Sequence, residues 1–368
     1  MFFPSFAVFQ ERHRISDCAW CLDIDGTLVR FEEPIEGASA FLQFLTVNRI
    51  PYVIVSNTGQ KNATDVSSSL KRLLNVDVPT SQIFTACDEM KMHIRKNHNS
   101  FSGKILVHAP SGFNSNAIYA DLLNLDNIMP MVDSKGKYYE GCDVSCICIF
   151  FDGFLPDFHK CISYVANHAA NGVILFVTSK DSTLVKSRGG SKWLQPGPGV
   201  FVSCIQEMVP SAKIESFGKE KWALQMDRIM ESLKQQHFNG PKERIIVIGD
   251  KYDTDMTLGL KQGTKTILVE SGCDSEKNGH TLQHQIDMVA DSIKDIPLEL
   301  SYSMRDNQVS KQVIKFLKAR MMFCLNSVST HLSSSTRNIL EVIDMMNERM
   351  TSPPRRIKSL PARLDDLS

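Results

Sequence analysis

Two carboxylates close an apolar run in Ala19-Trp20-Cys21-Leu22-Asp23-Ile24-Asp25-Gly26-Thr27-Leu28. The run reads as a buried strand, and Gly26 permits a turn that a side chain would obstruct. In a strand, Asp23 and Asp25 would share one face. Carboxylates that close repel each other unless a cation lies between them. The stretch is therefore a divalent-metal site at a strand end or an Asp-rich surface turn. A later run ends the same way: Arg244-Ile245-Ile246-Val247-Ile248 passes into Gly249-Asp250-Lys251-Tyr252-Asp253-Thr254-Asp255. Between them, Pro51–Val55 closes on Ser56-Asn57-Thr58-Gly59.

Elements able to position these groups alternate along the chain. After the first strand, Pro34 suits a helix start, and Ala38, Phe41, Leu42 and Leu45 keep helical spacing. Strand, helix and second strand make a βαβ unit with a right-handed crossover and a parallel sheet. Both strands then end on the side where open α/β sheets bind ligands, so Asp23, Asp25 and Ser56 should converge. Helices are expected near residues 64–74, 87–96, 158–170, 201–209 and 222–235, with another from Asp255 to Lys261. Further strands are expected at 104–108, 144–151, 173–178 and 266–269. The Gly- and Pro-rich segment 187–201 reads as loop.

Length and composition bound the rest. A chain of 368 residues exceeds what one compact core usually organises. Apolar content of 42% and charged content of 22% are ordinary for a globular chain. Zero net charge argues against whole-chain attraction to nucleic acid or an anionic membrane. No apolar run approaches the roughly 20 residues of a membrane span. The N-terminus lacks the positive region and cleavage site of a secretory signal, although Phe2, Phe3, Phe6 and Phe9 followed by Arg12 and Arg14 leave an organelle signal open. A cytoplasmic location is expected. Of the ten cysteines, Cys18 and Cys21 form one C-x-x-C with no second pair at zinc-finger spacing. Most cysteines read as reduced core residues.

The chain divides into an N-terminal extension (1–16), an α/β core in two parts (17–100 and 213–298) and an inserted α/β block (101–212). A helical hairpin (299–351) and a flexible tail (352–368) follow. The Met-rich hairpin suits core packing or self-association, so a homodimer is one expectation.

Asp23-x-Asp25-Gly26-Thr27, Ser56 at a strand end, Lys219 after Gly218, and Gly249-Asp250-x4-Asp255 stand in an order that resembles the four motifs of the haloacid dehalogenase superfamily. The following Glu33-Pro34-Ile35-Glu36-Gly37-Ala38, Val55-Ser56-Asn57-Thr58, Val177-Thr178-Ser179-Lys180-Asp181 and Gly197-Pro198-Gly199 look like the NagD and 4-nitrophenylphosphatase group, which carries a large α/β cap. The resemblance covers roughly residues 17–295. It implies a Rossmann-like parallel-sheet core with an inserted cap, and a Mg²⁺-dependent phosphatase acting on small phosphorylated metabolites. Asp23 would be the nucleophile that carries an aspartyl-phosphate, and Asp25 the general acid and base. Mg²⁺ would be held by Asp23, the backbone carbonyl of Asp25 and Asp250. Asp255 would hold the metal waters, with Asp253 as the alternative. Ser56, Thr27, Asn57, Thr58, Gly26 and Lys219 would bind phosphate. In the family Pro usually follows the motif lysine; here Glu220 does, so Lys221 is the alternative.

In the cap segment, Asp181 and Lys180 would face substrate, although Ser179-Lys180-Asp181 replaces the usual Asn-Pro-Asp. His108 and Ser111 face substrate or serve structure. Two other readings share the sequence: a binding scaffold acting through the C-terminal helices, and a phosphotransferase of the same fold.

Overall fold

The computed structural model describes residues 17–30, 32–108, 122–150, 157–188, 191–219, 226–274 and 285–296. The fallback Lys221, along with Ser111, the N-terminal extension and the C-terminal hairpin and tail, lies outside them. In chain order the elements are β1 (Ala19–Leu22), β2 (Val29–Arg30), β3 (Glu33–Pro34), α1 (Ala38–Val47), β4 (Tyr52–Ser56), α2 (Ala63–Leu74), β5 (Ile83–Thr85) and α3 (Ala86–Asn97). There follow β6 (Lys104–His108), β7 (Ile128–Pro130), β8 (Val144–Ile149), α4 (Phe158–Ala170), β9 (Ile174–Val177), β10 (Thr183–Arg188), β11 (Ser191–Pro196), α5 (Pro198–Met208) and β12 (Ile214–Ser216). The chain closes with α6 (Met226–Gln235), β13 (Ile245–Gly249), α7 (Thr257–Gln262), β14 (Lys265–Val269) and β15 (Met288–Ala290).

Two parallel sheets result, as the α/β expectation requires. The first runs β15-β14-β13-β1-β4-β5. Its strands are apolar on both faces because helices cover both. Trp20 and Leu22 pack with Phe41, Leu42 and Leu45 of α1 and Leu70 and Leu74 of α2. Trp20 meets the Phe41 ring edge-on at 5.3 Å between centroids. Ala19 and Cys21 face the other layer, with Ile229 and Leu233 of α6. This alternation separates Cys18 from Cys21, which lie in cores on opposite faces of the sheet. Burial pushes the Cys18 thiol up to about 11 and the Cys21 thiol higher still. With the two thiols in separate cores, the C-x-x-C serves packing and is not a shared metal site.

The second sheet runs β12-β9-β8-β6-β7. Cys146 and Cys148 are buried in its core. β12 carries this sheet's chain to Ser216, beyond the boundary at 212 read from sequence. Three residues are too few for a period to show.

The segment read as loop is corrected by the structure. Residues 183–188 and 191–196 pair antiparallel, from Thr183↔Pro196 to Arg188↔Ser191. Pro196 closes the second strand opposite Thr183, at the strand's last position, where proline is tolerated, and Gly197, Pro198 and Gly199 follow it. Pro198 then starts α5 at the first helical turn, earlier than Phe201. Among the described residues, no helix is long and apolar enough to cross a membrane.

Candidate active site

Three neighbouring strands carry the site. β13, β1 and β4 lie side by side, with Leu22 level with both Ile248 and Ile54. Their C-terminal ends therefore deliver Asp250, Asp23 and Ser56 to one edge of the sheet. The Asp23 N–H donates to the Ile248 carbonyl at 3.0 Å, which extends the ladder one residue past β1.

Asp23 and Asp25 do not share a face in the way strand spacing suggests. β1 ends at Leu22, and the chain turns tightly through Ile24, whose carbonyl accepts from the Leu28 and Val29 N–H groups at 2.9 Å each. Asp23 is buried and Asp25 is exposed, yet both line one cleft. Gly26 makes that turn possible. Its φ is +87°, and a Cβ there would stand 2.2 Å from Asp250 Oδ2.

Lys219 joins the acidic groups. Only 4% exposed, it donates through Nζ to Asp23 Oδ1 and to Asp255 Oδ1, the latter at 2.6 Å. Asp255 is returned to the strand end by an irregular turn of helix over Tyr252–Met256. Its Oδ2 accepts the Asp250 and Lys251 N–H groups at 3.2 and 3.1 Å. Both Asp255 oxygens are thus engaged by protein donors. Asp250 Oδ2 accepts the Cys273 N–H at 2.7 Å. Thr27 reaches Asp23 Oδ2 at 3.4 Å. Ser56 is buried, and its Oγ accepts the Thr58 N–H at 3.2 Å.

The charges do not balance. Asp23, Asp250 and Asp255 are all buried, and oxygens from the three lie within 4.8 Å of one another. Lys219 supplies one positive charge among them. Burial raises the Asp23 carboxyl well above its ordinary value; Lys219 opposes this, and Asp255, Asp250 and Asp25 add to it. Burial, with Asp255 adding, raises Asp250 to about 7 against the pull of Lys251. For Lys219, burial acts downward, and the two carboxylates override it and raise the value. A cluster of hard oxygen donors with excess negative charge fits a divalent cation of the Mg²⁺ type.

The cleft has a volume of about 460 Å³ and is lined by Asp23, Asp25, Ser56, Asn57, Thr58, Asp181, Lys219, Asp250 and Asp255 among others. Asp253 is not among the groups gathered at the metal cluster. His108 is buried, with no partner for either ring nitrogen among the described residues, and burial lowers it to about 4. It is absent from the cleft lining.

Asn57 and Asp181 line the cleft and also bond to protein groups. Asn57 spends its carboxamide on protein: Oδ1 accepts the Lys219 N–H at 2.7 Å, and Nδ2 donates to Asp181 Oδ2 at 3.0 Å. Lys251, which sequence reasoning passed over, lies 3.3 Å from Asp181 and donates to the Thr183 carbonyl at 2.7 Å. Its signal was its place beside Asp250, at the end of a strand that must face the cleft.

Comparison with known proteins agrees with this geometry. A family profile described as haloacid dehalogenase-like hydrolase matches residues 20–122, and a second profile of HAD-like hydrolases matches 222–296. An acid sugar phosphatase of Staphylococcus epidermidis is 24% identical over 259 residues, covering 69% of this chain and 86% of that protein. The structure of NagD from E. coli K-12 aligns with a TM-score of 0.53 at 20% identity, over 76% of this chain and 98% of that one. A glycerol phosphate phosphatase from Mycobacterium tuberculosis, solved in complex with magnesium, aligns with a TM-score of 0.53 at 18% identity, over 72% of each chain. The profiles leave most of the second sheet unmatched, and Asp23, Ser56 and Asp250 at the strand ends of the first sheet fall within the matched segments. Both sequence segments that build the first sheet are thus similar to haloacid dehalogenase-like hydrolases, and the chain shares its fold with NagD.

Proposed function

We propose that this chain is a Mg²⁺-dependent phosphatase of small-molecule phosphate monoesters, working through an aspartyl-phosphate on Asp23. The observation that carries the reading is Lys219 Nζ held between Asp23 and Asp255, beside Asp250, at the ends of adjacent strands. A nucleophile and a compact positive charge are thereby fixed together before substrate arrives.

Asp23, Asp250 and the backbone carbonyl of Asp25 would hold the metal. Asp255 would remain a holder of surrounding groups, since both its oxygens are already engaged. Bound Mg²⁺ would neutralise charge on the phosphoryl oxygens and on the buried carboxylates. An Asp23 oxygen attacks phosphorus, and the bond from phosphorus to the leaving oxygen breaks. Asp25 donates its proton to that oxygen, releasing an alcohol. Asp25, now ionised, takes a proton from water. The water oxygen attacks phosphorus, and the bond to Asp23 breaks to release inorganic phosphate. Exposure of Asp25 on the cleft wall suits a group that must exchange protons. Lys219 offsets repulsion between the incoming phosphate and Asp23. Ser56 Oγ and the backbone amides near Thr27, Asn57 and Thr58 would hold phosphate oxygens.

The block at 101–212 would act as the cap that covers the site. A cleft of about 460 Å³ favours metabolites over phosphoproteins. Phosphate release should be followed for 4-nitrophenyl phosphate, sugar phosphates, glycerol phosphate, phosphoglycolate, pyridoxal phosphate and nucleotides. Release is expected with Mg²⁺ and not with EDTA. No turnover across the panel would sink the reading.

Acid should weaken the metal's grip. Asp250 is raised to about 7 in the folded, metal-free protein, above the ordinary carboxylate value. A raised group stabilises the fold fully below its unfolded value, and that contribution is lost as pH rises through about 7. Metal-free protein should therefore lose this contribution as pH rises from about 4 to about 7. The metal displaces the same proton, so the Mg²⁺-induced rise in Tm should be larger at pH 8 than at pH 5.5. At a hundredfold excess over Kd the gain is about 2.7 kcal/mol. Melting curves with and without Mg²⁺ at the two pH values check this, and an equal shift at both would refute it.

A further inference from the structure

Asp181 sits in the loop after β9 of the second sheet, and its carboxylate is occupied by two residues of the first. One is Asn57, in the loop after β4. The other is Lys251, in the loop after β13. The loop carrying Asp181 is itself fixed. The Gly197 N–H donates to the Ser182 carbonyl at 2.9 Å, and the Gly199 N–H donates to the Asp181 carbonyl at 2.7 Å. Both donors lie at the start of α5. Nearby, Gly59 lies flush against buried Thr178. A Cβ on Gly59 would come within 2.4 Å of Thr178 Oγ1. The two sheets therefore meet in a close, specific seat at this point.

The seat reaches the catalytic lysine. The carboxamide that donates to Asp181 accepts the Lys219 N–H through its other end. Lys251, Asp181, Asn57 and the Lys219 backbone form one continuous chain of polar contacts. Its members come from four separate loops, so its integrity depends on how the second sheet rests on the first.

We propose that Asp181, Asn57 and Lys251 form a latch through which seating of the cap sets the position of Lys219. Asp181 is then a positioning residue and not a substrate contact. Two anchors place the lysine. Asp23 and Asp255 hold its Nζ, and Asn57 holds its backbone N–H. Withdrawal of the cap removes Asp181, and with it the partner that orients the Asn57 carboxamide. The Lys219 N–H then loses its acceptor, and the ammonium loses its register against Asp23. Full positive charge at the phosphate site is assembled only when the cap is seated and the cleft covered. The kinetic part of this inference rests on the phosphatase reading; the structural part does not.

The test uses the full chain with Asp181→Ala and Lys251→Met. Hydrogen exchange of the Lys219 backbone amide is the main readout, because Asp181 does not touch that amide. Losing the hydrogen bond that supports its acceptor should speed exchange about tenfold in Asp181→Ala. Lys251→Met should speed it less, since the Asn57–Asp181 bond persists. In the phosphate-release assay kcat should fall more than KM rises. Unchanged exchange at Lys219 in both variants overturns the latch. A rise in KM at unchanged kcat does so too, because it marks Asp181 as a substrate contact. If the wild-type chain hydrolyses none of the esters tested, the exchange measurement still decides the latch, so the two readings fail separately.

Discussion

Asp23→Asn should abolish phosphate release while leaving the protein folded. The substitution keeps the shape of the side chain and removes the attacking oxyanion. Loss of a covalent nucleophile costs on the order of 10⁴-fold or more in kcat, and the residual rate reports what the remaining charges do alone. The stability effect should run the other way. Metal-free protein buries Asp23, Asp250 and Asp255 against Lys219. The neutral amide relieves the desolvation cost of burial and the repulsion of three neighbouring carboxylates, Asp255, Asp250 and Asp25. Lys219 keeps Asp255 as its partner. The Tm of Asp23→Asn without metal should therefore equal or exceed that of wild type, and its rise on adding Mg²⁺ should shrink. Kinetics, melting curves and a mass-spectrometric search for phosphate on Asp23 in rapidly quenched wild-type enzyme address the same claim. Turnover by Asp23→Asn near the wild-type rate would remove Asp23 from the nucleophile's role.

Much of this geometry could be read from residue order because its determinants are local. Apolar strands that stop at Asp23, Ser56 and Asp250 announce their own ends, and parallel βαβ connection then places those ends together. Lys219 was legible only through motif order. Its partners Asp23 and Asp255 lie 196 and 36 positions away, and no spacing rule joins them. The edge strands β5 and β15 have three residues each, too short for a period to emerge. The hairpin at 183–196 was hidden by glycine and proline that composition alone assigns to loop. Asn57 and Asp181 were expected at the substrate because each lies in a motif loop. Their bond to each other, across 124 positions, depends on how one sheet rests on another. Packing of that kind leaves no trace in local sequence.

Lys219→Met should be the most destabilising single change in the site. Methionine fills comparable space without the ammonium, so packing is largely retained and the lost charge dominates. Asp23 Oδ1 and Asp255 Oδ1 both lose their cation while remaining buried. Removing one partner from a buried ion pair costs about 3–5 kcal/mol, chiefly because the other charge is left uncompensated. Here one lysine serves two carboxylates, so the upper part of that range is expected in metal-free protein. Adding Mg²⁺ should recover part of the loss, since the cation restores positive charge beside Asp23. Catalysis should not recover with it. In the proposed mechanism the ammonium would stand where phosphate charge concentrates, and losing one such donor costs roughly 10²–10³-fold in kcat. A double variant separates the electrostatic account from simple loss of packing. Combining Asp23→Asn with Lys219→Met removes both members of one pair, leaving only Asp255 without its cation. If uncompensated charge is the cause, the double variant should melt above Lys219→Met alone. If packing is the cause, it should melt at or below it. Urea or thermal unfolding of the three variants in EDTA gives the comparison directly.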